Sequence, residues 1–164
     1  LLSMSSLLRK EGDFLGSEIT TIQGLRFVEP LREIEIRSDL FNELGLALLY
    51  LRRYKESRKI LKKSYEIALK SSSKSKKDKN TVNYYINMAL TYSKEGNYKK
   101  SIEYRKKCLQ INSLKNNDPK TYASVIGGIG SSYFNLGDAS LGLKYYFEAL
   151  KLRESIQTKK VLKS

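Results

Sequence analysis

Residues 85–102 read YINMALTYSKEGNYKKSI, and this stretch decides the fold because it recurs along the chain. Residues 41–57, FNELGLALLYLRRYKES, and residues 126–142, IGGIGSSYFNLGDASLG, match it column by column. A weaker copy begins near Met4. Recurrence at this length indicates an array of similar units, each of which buries its apolar face only against a neighbour.

Four columns of the repeat hold small or turn-forming residues at a constant register, with spacings of 40, 44 and 41 residues. The first column is Ser5, Gly45, Ala89 and Gly130, and the turn column is Gly12, Arg52, Gly96 and Gly137. Beyond the turn the columns are Ser17, Ser57, Ser101 and Gly142, then Gly24, Ser64, Cys108 and Ala149. Small side chains at matching places let two backbones approach closely, so we expect these columns to be buried between helices.

Each unit is predicted to contain two helices, because apolar residues recur at steps of three and four residues on both sides of the turn, as at Leu44, Leu48 and Leu51. The predicted fold class is therefore all-α, a single solenoid domain of about four antiparallel helix pairs. The predicted units are about 1–30, 31–78, 79–117 and 118–155. The polar segment SSSKSKKDKN at residues 71–80 is predicted to be a mobile loop.

Composition excludes most catalytic and metal chemistry. The 164 residues carry a formal net charge of +14, no His and one Cys. The commonest general base and metal ligand is thus missing, and disulfide frameworks are excluded. We expect no enzyme activity, no metal and no cofactor. Cys108 is interpreted as a small buried residue, and Gly127-Gly128-Ile129-Gly130 as helix packing rather than a phosphate loop, since it lies within a predicted helix.

Leu44-Gly45, the run from Gly96 to Ile102, and Ile129-Gly130 with Tyr133 carry a known pattern. In these columns the chain resembles the tetratricopeptide repeat family. The resemblance implies a right-handed superhelix whose first helices line a concave groove that binds a protein or peptide. Two departures stand out: Arg52 replaces the turn glycine, and Arg105 stands where the second unit has Leu61.

The period of 40 to 44 residues exceeds the family's usual length of about 34. It is similar to that of a long-repeat subfamily found in bacterial signalling and regulatory proteins. The resemblance therefore implies the sensory or regulatory input of a signalling or transcription-regulatory protein. Because the chain begins with Leu1 rather than Met, we expect it to be a piece of a longer polypeptide.

Residues offset from the packing columns are predicted to face the groove. They are Asn42, Leu46, Leu49, Tyr50, Asn83, Ile86, Asn87, Leu90, Lys94, Gly127, Ser131, Phe134 and Asn135. Amide groups can bond a peptide backbone while apolar groups hold its side chains, which suits an extended or helical peptide. The alternative is that about half of them pack along the groove floor. The Lys and Asn pairs with which chaperone-binding members hold a terminal carboxylate are absent at the matching positions.

The rival function is nucleic-acid or anionic-surface binding. Between Arg52 and Asn80 there are 12 Lys and Arg residues against 3 acidic ones, and such a patch binds polyanions in a salt-sensitive way. The predicted basic patch is Arg52, Arg53, Lys62, Lys63, Lys74, Lys76, Lys77 and Lys79. A solvated surface is the alternative interpretation of these charges.

No window approaches the roughly 18 consecutive apolar residues that a membrane span requires, and a secretory signal is missing. The compartment stays open, with the cytoplasm favoured. Terminal units of a solenoid need a polar outer face, so an uncapped end would permit self-association.

Overall fold

The computed structural model describes residues 1–28 and 34–161, and every regular element in these two ranges is a helix. In chain order the helices are α1 (Leu2–Lys10), α2 (Phe14–Val28), α3 (Ile34–Tyr50), α4 (Tyr54–Ala68), α5 (Lys74–Lys94), α6 (Tyr98–Leu109), α7 (Asn112–Asn117), α8 (Pro119–Asn135) and α9 (Ala139–Val161). Within the described ranges, none of them is long and apolar enough to cross a bilayer.

The helices form four antiparallel pairs: α1 with α2, α3 with α4, α5 with α6, and α8 with α9. Successive pairs contact each other through α2 and α3, α4 and α5, and α6 and α8. The first helices α1, α3 and α5 also touch in turn. Since almost every contact is with a neighbouring pair, the predicted all-α solenoid is confirmed.

The small-residue columns are buried as predicted. Ser5, Ser17, Ala89 and Cys108 are fully covered, and their partners in the other units are nearly so. The buried hydroxyls of these columns bond to the main chain or to a hydroxyl of a facing helix. Ser5 Oγ donates to the carbonyl oxygen of Ser17 at 3.1 Å, and Ser132 Oγ donates to Ser101 Oγ at 3.3 Å. The columns thus bring each helix pair into close contact without leaving serine hydroxyls unpaired.

The turn column closes each pair with one backbone conformation. Gly12, Arg52, Gly96 and Gly137 have φ values of 88, 62, 88 and 84°. In each turn the next N–H donates to the carbonyl five residues earlier, for example Asn97 N to Tyr92 O at 2.8 Å. This is the Schellman motif, in which a left-handed residue caps the preceding helix.

The predicted mobile loop at 71–80 is wrong over most of its length, because α5 begins at Lys74. The Ser73 side chain accepts a hydrogen bond from Lys76 N and starts the helix. Lysine favours helix, and the low complexity of this segment concealed that preference. As a result α5 extends to 21 residues, and the predicted unit boundary at 78 falls inside it.

Helix α7 is a second feature that the repeat pattern did not predict. It lies between the third and fourth pairs and touches α6 and α8. Ser113 Oγ donates to Asp78 Oδ2 at 2.9 Å, so α7 also bonds the extension of α5. The predicted boundary between the first and second units, at residue 30, lies outside the described residues.

Candidate partner-binding groove

The predicted groove residues lie on α3, α5 and α8, and the surface formed by those that are accessible is here called the groove face. Asn87 Nδ2 on α5 donates to Asn42 Oδ1 on α3 at 2.8 Å. Farther along the array, Arg9 on α1 pairs with Glu43 on α3 through Nε and Oε2 at 2.8 Å. Polar bridges therefore link consecutive first helices across this face. The predicted asparagines 42 and 87 are brought together, each with amide atoms left for further bonds.

Exposure divides the predicted groove residues into three groups. Those exposed are Tyr50, Asn83, Lys94, Phe134 and Asn135. Those half-buried are Asn42, Leu46, Ile86, Asn87, Leu90, Gly127 and Ser131. Leu49 is only 2% exposed, so its prediction as a groove residue is wrong. The reason is that α3 is enclosed by α2, α4 and α5, which takes most of its surface into the core.

The ends of the groove face carry aromatic contacts. Tyr50 stacks on Phe14 with ring centroids 4.9 Å apart, and Phe134 meets Tyr146 at 5.7 Å. Asn135 Nδ2 donates to the carbonyl oxygen of Ser131 at 2.8 Å, within its own helix. These side chains are exposed but already have contacts within the chain, whereas Asn83 and Lys94 on α5 are exposed near the centre of the array.

Two clefts open beside Asn83 at the start of α5. A cleft of about 430 Å³ lies between α5, α7 and α8, and one of about 210 Å³ lies between α3 and α5. Lys79 and Asn83 line both. The larger cleft is completed by Asp78, Ser113, Asn117, Asp118 and Thr121, among others. Both are polar enough to hold side chains of a bound segment.

The clefts bring opposite charges together. Lys76 on α5 is ion-paired with Glu35 on α3. Burial raises the pKa of Asp39 above its usual range, and the nearby Glu35 carboxylate adds to the rise while Lys79 opposes it. Lys76 and Lys79 therefore lie near carboxylates of α3, which interrupts the positive surface at the start of α5.

The predicted basic patch is divided among three places: the turn after α3, the outer side of α4, and the start of α5. Arg53 pairs with Glu18 and Glu56, each at 2.7 Å. Lys62 lies 3.7 Å from Glu66. Lys63 sits over the ring of Phe41 at 4.3 Å. Arg52 occupies the turn, Lys74 and Lys79 line the larger cleft, and Lys77 lies on the same helix. Four of the eight residues, counting Lys76, thus have a partner within the described chain.

Cys108 is fully buried in the cluster with Val82, Leu114 and Val125. Burial raises the pKa of its thiol to about 11, so the group is protonated near neutral pH. Among the described residues no group of three His, Cys, Asp or Glu side chains is placed to hold a metal ion.

Arg105 on α6 is a candidate that the repeat pattern did not reveal. Its Nε is buried and has no hydrogen-bond partner in the described part of the chain. Its guanidinium group lies against Gly128 of α8. The available signal was a basic residue at the position where the second unit has the buried Leu61.

Residues 37–113 match the family model for the tetratricopeptide repeat. A crystal structure of BtubC (BKLC) from P. vanneervenii is similar, with a TM-score of 0.78 at 14% identity over 93% of this chain and 61% of that chain. The chain is a tetratricopeptide-like helical solenoid. A crystal structure of MamA protein matches with a TM-score of 0.43 and 18% identity, covering 96% of this chain and 92% of the other.

The family match begins in α3 and ends in α7, so it supports the tetratricopeptide repeat family for the two central pairs directly. The structure extends the same pairing and the same left-handed turn to α1–α2 and α8–α9. The chain spans 61% of the length of the BtubC structure. Repeats of this family generally mediate contacts between proteins.

Proposed function

We propose that this protein is an interaction module that binds a peptide or an extended segment of a protein along the groove face, without catalytic activity of its own. The observation that carries the proposal is the strip on α5 formed by Asn83, Ile86, Leu90 and Lys94. These side chains recur at helical spacing, are exposed or half-buried, and lie at the centre of the array.

The strip alternates chemistry in the way that a peptide requires. Asn83 supplies an amide that can hydrogen-bond the backbone of a peptide. Ile86 and Leu90 supply apolar contact, and Lys94 supplies a positive charge at one end of the strip. The clefts beside Asn83 are large enough to take side chains of the bound segment. Binding of this kind combines main-chain hydrogen bonds for affinity with pockets for specificity.

We further propose that the module is the sensory or regulatory input of a longer signalling protein. The long period of 40 to 44 residues supports this role, because repeats of that length are typical of bacterial regulatory proteins. Capture of a segment in the groove would then be the signal that the rest of the protein reads.

The test is selection of short random peptides against the wild-type chain, followed by dissociation constants from fluorescence anisotropy. We expect the double variant Asn83→Ala, Lys94→Ala to weaken the selected peptides at least about tenfold, as removal of central contacts does. The matched control is Lys99→Ala with Lys106→Ala, two exposed changes on α6 that leave the groove face intact. Equal binding by both double variants would show that the groove face is not the site.

Salt separates this proposal from polyanion binding. Between about 50 mM and 200 mM salt, a site made of phosphate contacts loses orders of magnitude in affinity. We expect the peptide complex to lose much less. The net charge of +14 favours polyanion binding. Against it, four residues of the basic patch already have partners within the chain: Arg53, Lys62, Lys63 and Lys76.

A further inference from the structure

Two polar bridges cross the groove face between consecutive first helices, and the second of them has no equivalent between α5 and α8. Arg9 and Glu43 join the first and second pairs, and Asn42 and Asn87 join the second and third. The corresponding residues between the third and fourth pairs are Ile86 and Gly128, by the repeat spacings of 44 and 41. Neither can make a side-chain hydrogen bond, so α5 and α8 have no bridge of this type.

Arg105 occupies the vacant place. It extends from α6, where the preceding unit has the buried Leu61, and its guanidinium reaches the side of Gly128 where a Cβ would stand. A side chain on Gly128 would overlap Nη1 of that guanidinium and would come within 2.7 Å of Nε. The absence of a side chain at Gly128 therefore makes room for the guanidinium beside α8, and this place, defined by Gly127 and Gly128, is here called the window.

The charge of Arg105 is not balanced. Its Nε is buried without a hydrogen-bond acceptor, and within the described residues no carboxylate forms an ion pair with it. Burial lowers the pKa of the guanidinium from its usual value, and the nearby Cys108 opposes the effect only in part. An arginine remains charged in a protein, so the fold retains a cation that is desolvated and unpaired.

A second guanidinium lies beside the same window. A Cβ on Gly127 would stand 3.7 Å from Nη2 of Arg153 on α9. Arg153 is exposed and is not ion-paired within the described chain. Two guanidinium groups from different helices thus approach adjacent glycines, which have no side chain that would exclude a ligand.

We propose that this window is an anion subsite of the groove, in which Arg105, assisted by Arg153, binds the carboxylate of an aspartate or glutamate side chain of the captured peptide. The inference rests on the proposed function and specifies its partner. Charge complementarity argues for this occupant: the site offers two guanidiniums without an internal counter-charge, on a chain of net charge +14. A guanidinium fork matches a planar carboxylate with two parallel hydrogen bonds.

The subsite is tested with the peptides selected above. We expect them to be enriched in Asp or Glu at one position, and we expect replacement of that residue by its amide to weaken binding to the wild type by at least about tenfold. The same replacement should change binding to the Arg105→Met variant by less than about threefold, since the partner charge is already gone. The matched control is Lys106→Met, which removes one positive charge from the exposed side of α6 and should retain the preference.

Thermal unfolding distinguishes a binding residue from a structural one. Arg105→Met should melt at or above the temperature of the wild type, because an unpaired buried charge is replaced by an apolar side chain of similar length. A merely structural arginine would lower the melting temperature on replacement. As a second variant, Gly128→Ala keeps the charge but pushes the guanidinium aside, and we expect it to weaken acidic peptides without unfolding the chain.

Each alternative outcome has a separate meaning. Peptides that depend on Asn83 and Lys94 but show no acidic preference, or a preference unchanged in Arg105→Met, would overturn the subsite and leave the proposed function standing. Failure to select any peptide would overturn both. A phosphoserine peptide could also bind more tightly than its glutamate counterpart and be displaced by inorganic phosphate. That result would show that the subsite binds a phosphate rather than a carboxylate, and would overturn this assignment.

Discussion

Arg52 is the residue whose identity disagrees most clearly with its backbone. It holds the turn at φ 62°, where the other three units place glycine at 84 to 88°. A non-glycine residue in the left-handed region costs about 1–2 kcal/mol, part of which glycine returns through its flexible unfolded state. We therefore expect Arg52→Gly to raise the free energy of unfolding by about 1 kcal/mol in urea titrations.

Two further variants isolate the backbone effect from the loss of charge. Arg52→Asn removes the charge and introduces a residue that tolerates the left-handed region. The stability of this variant should therefore lie between that of the wild type and that of Arg52→Gly. Gly96→Ala should destabilise the chain by a similar amount, because a Cβ there meets nothing within 4 Å and only the positive φ opposes it. Equal stability of Arg52→Gly and the wild type would mean that the second turn bears no strain.

At the scale of the helix, α8 offers two glycines with opposite surroundings. A Cβ on Gly130 would stand 2.9 Å from the carbonyl oxygen of Gly142 on α9, and a backbone atom cannot move aside cheaply. A Cβ on Gly127 would make an ordinary contact of 3.7 Å with Ala149. We expect Gly130→Ala to destabilise by about 1–3 kcal/mol through overpacking, and Gly127→Ala to stabilise by up to about 1 kcal/mol through helix propensity.

Denaturant titration of the two single variants checks this pair, with far-ultraviolet circular dichroism to show that both remain helical. If both alanines have the same effect, helix propensity rather than contact with α9 governs these positions. The contrast also explains the sequence: glycine is required at position 130 by the close approach of the helices, whereas position 127 is free of that constraint.

The repeat predicted the helices well because packing between neighbours imposes the same small residues and the same turn in every unit. The repeat did not predict the start of α5, because a run of Ser and Lys is typical of a loop. The Ser73 cap and the contact with α7 stabilise this part of the helix, and neither is evident from the repeat. It misassigned Leu49, whose position on α3 is covered by adjacent pairs. Arg105 was visible only as an exception, because its meaning depends on Gly128 in the next unit.

For the whole molecule, both ends of the array leave apolar surface uncovered. The last helix, α9, exposes one row of large side chains: Leu143, Phe147 and Leu150 at 48, 59 and 48%. The first pair exposes another set: Leu7, Leu15, Ile19 and Phe27 at 50, 61, 57 and 70%. A solenoid buries such faces by adding a neighbour. Contact between two different faces is of the head-to-tail type, which produces either a ring or an open filament.

We therefore expect this chain to associate head to tail as its concentration rises, with an average mass that increases in sedimentation equilibrium. Leu143→Glu with Phe147→Glu places charge in the α9 row and should hold the chain at the mass of a monomer. Ser140→Glu, an exposed change on the same helix, is the control and should associate like the wild type. An unchanged mass for the double variant would mean that the α9 row is not the contact. Association through the ends would leave the groove face open, so peptide affinity should not depend on chain concentration.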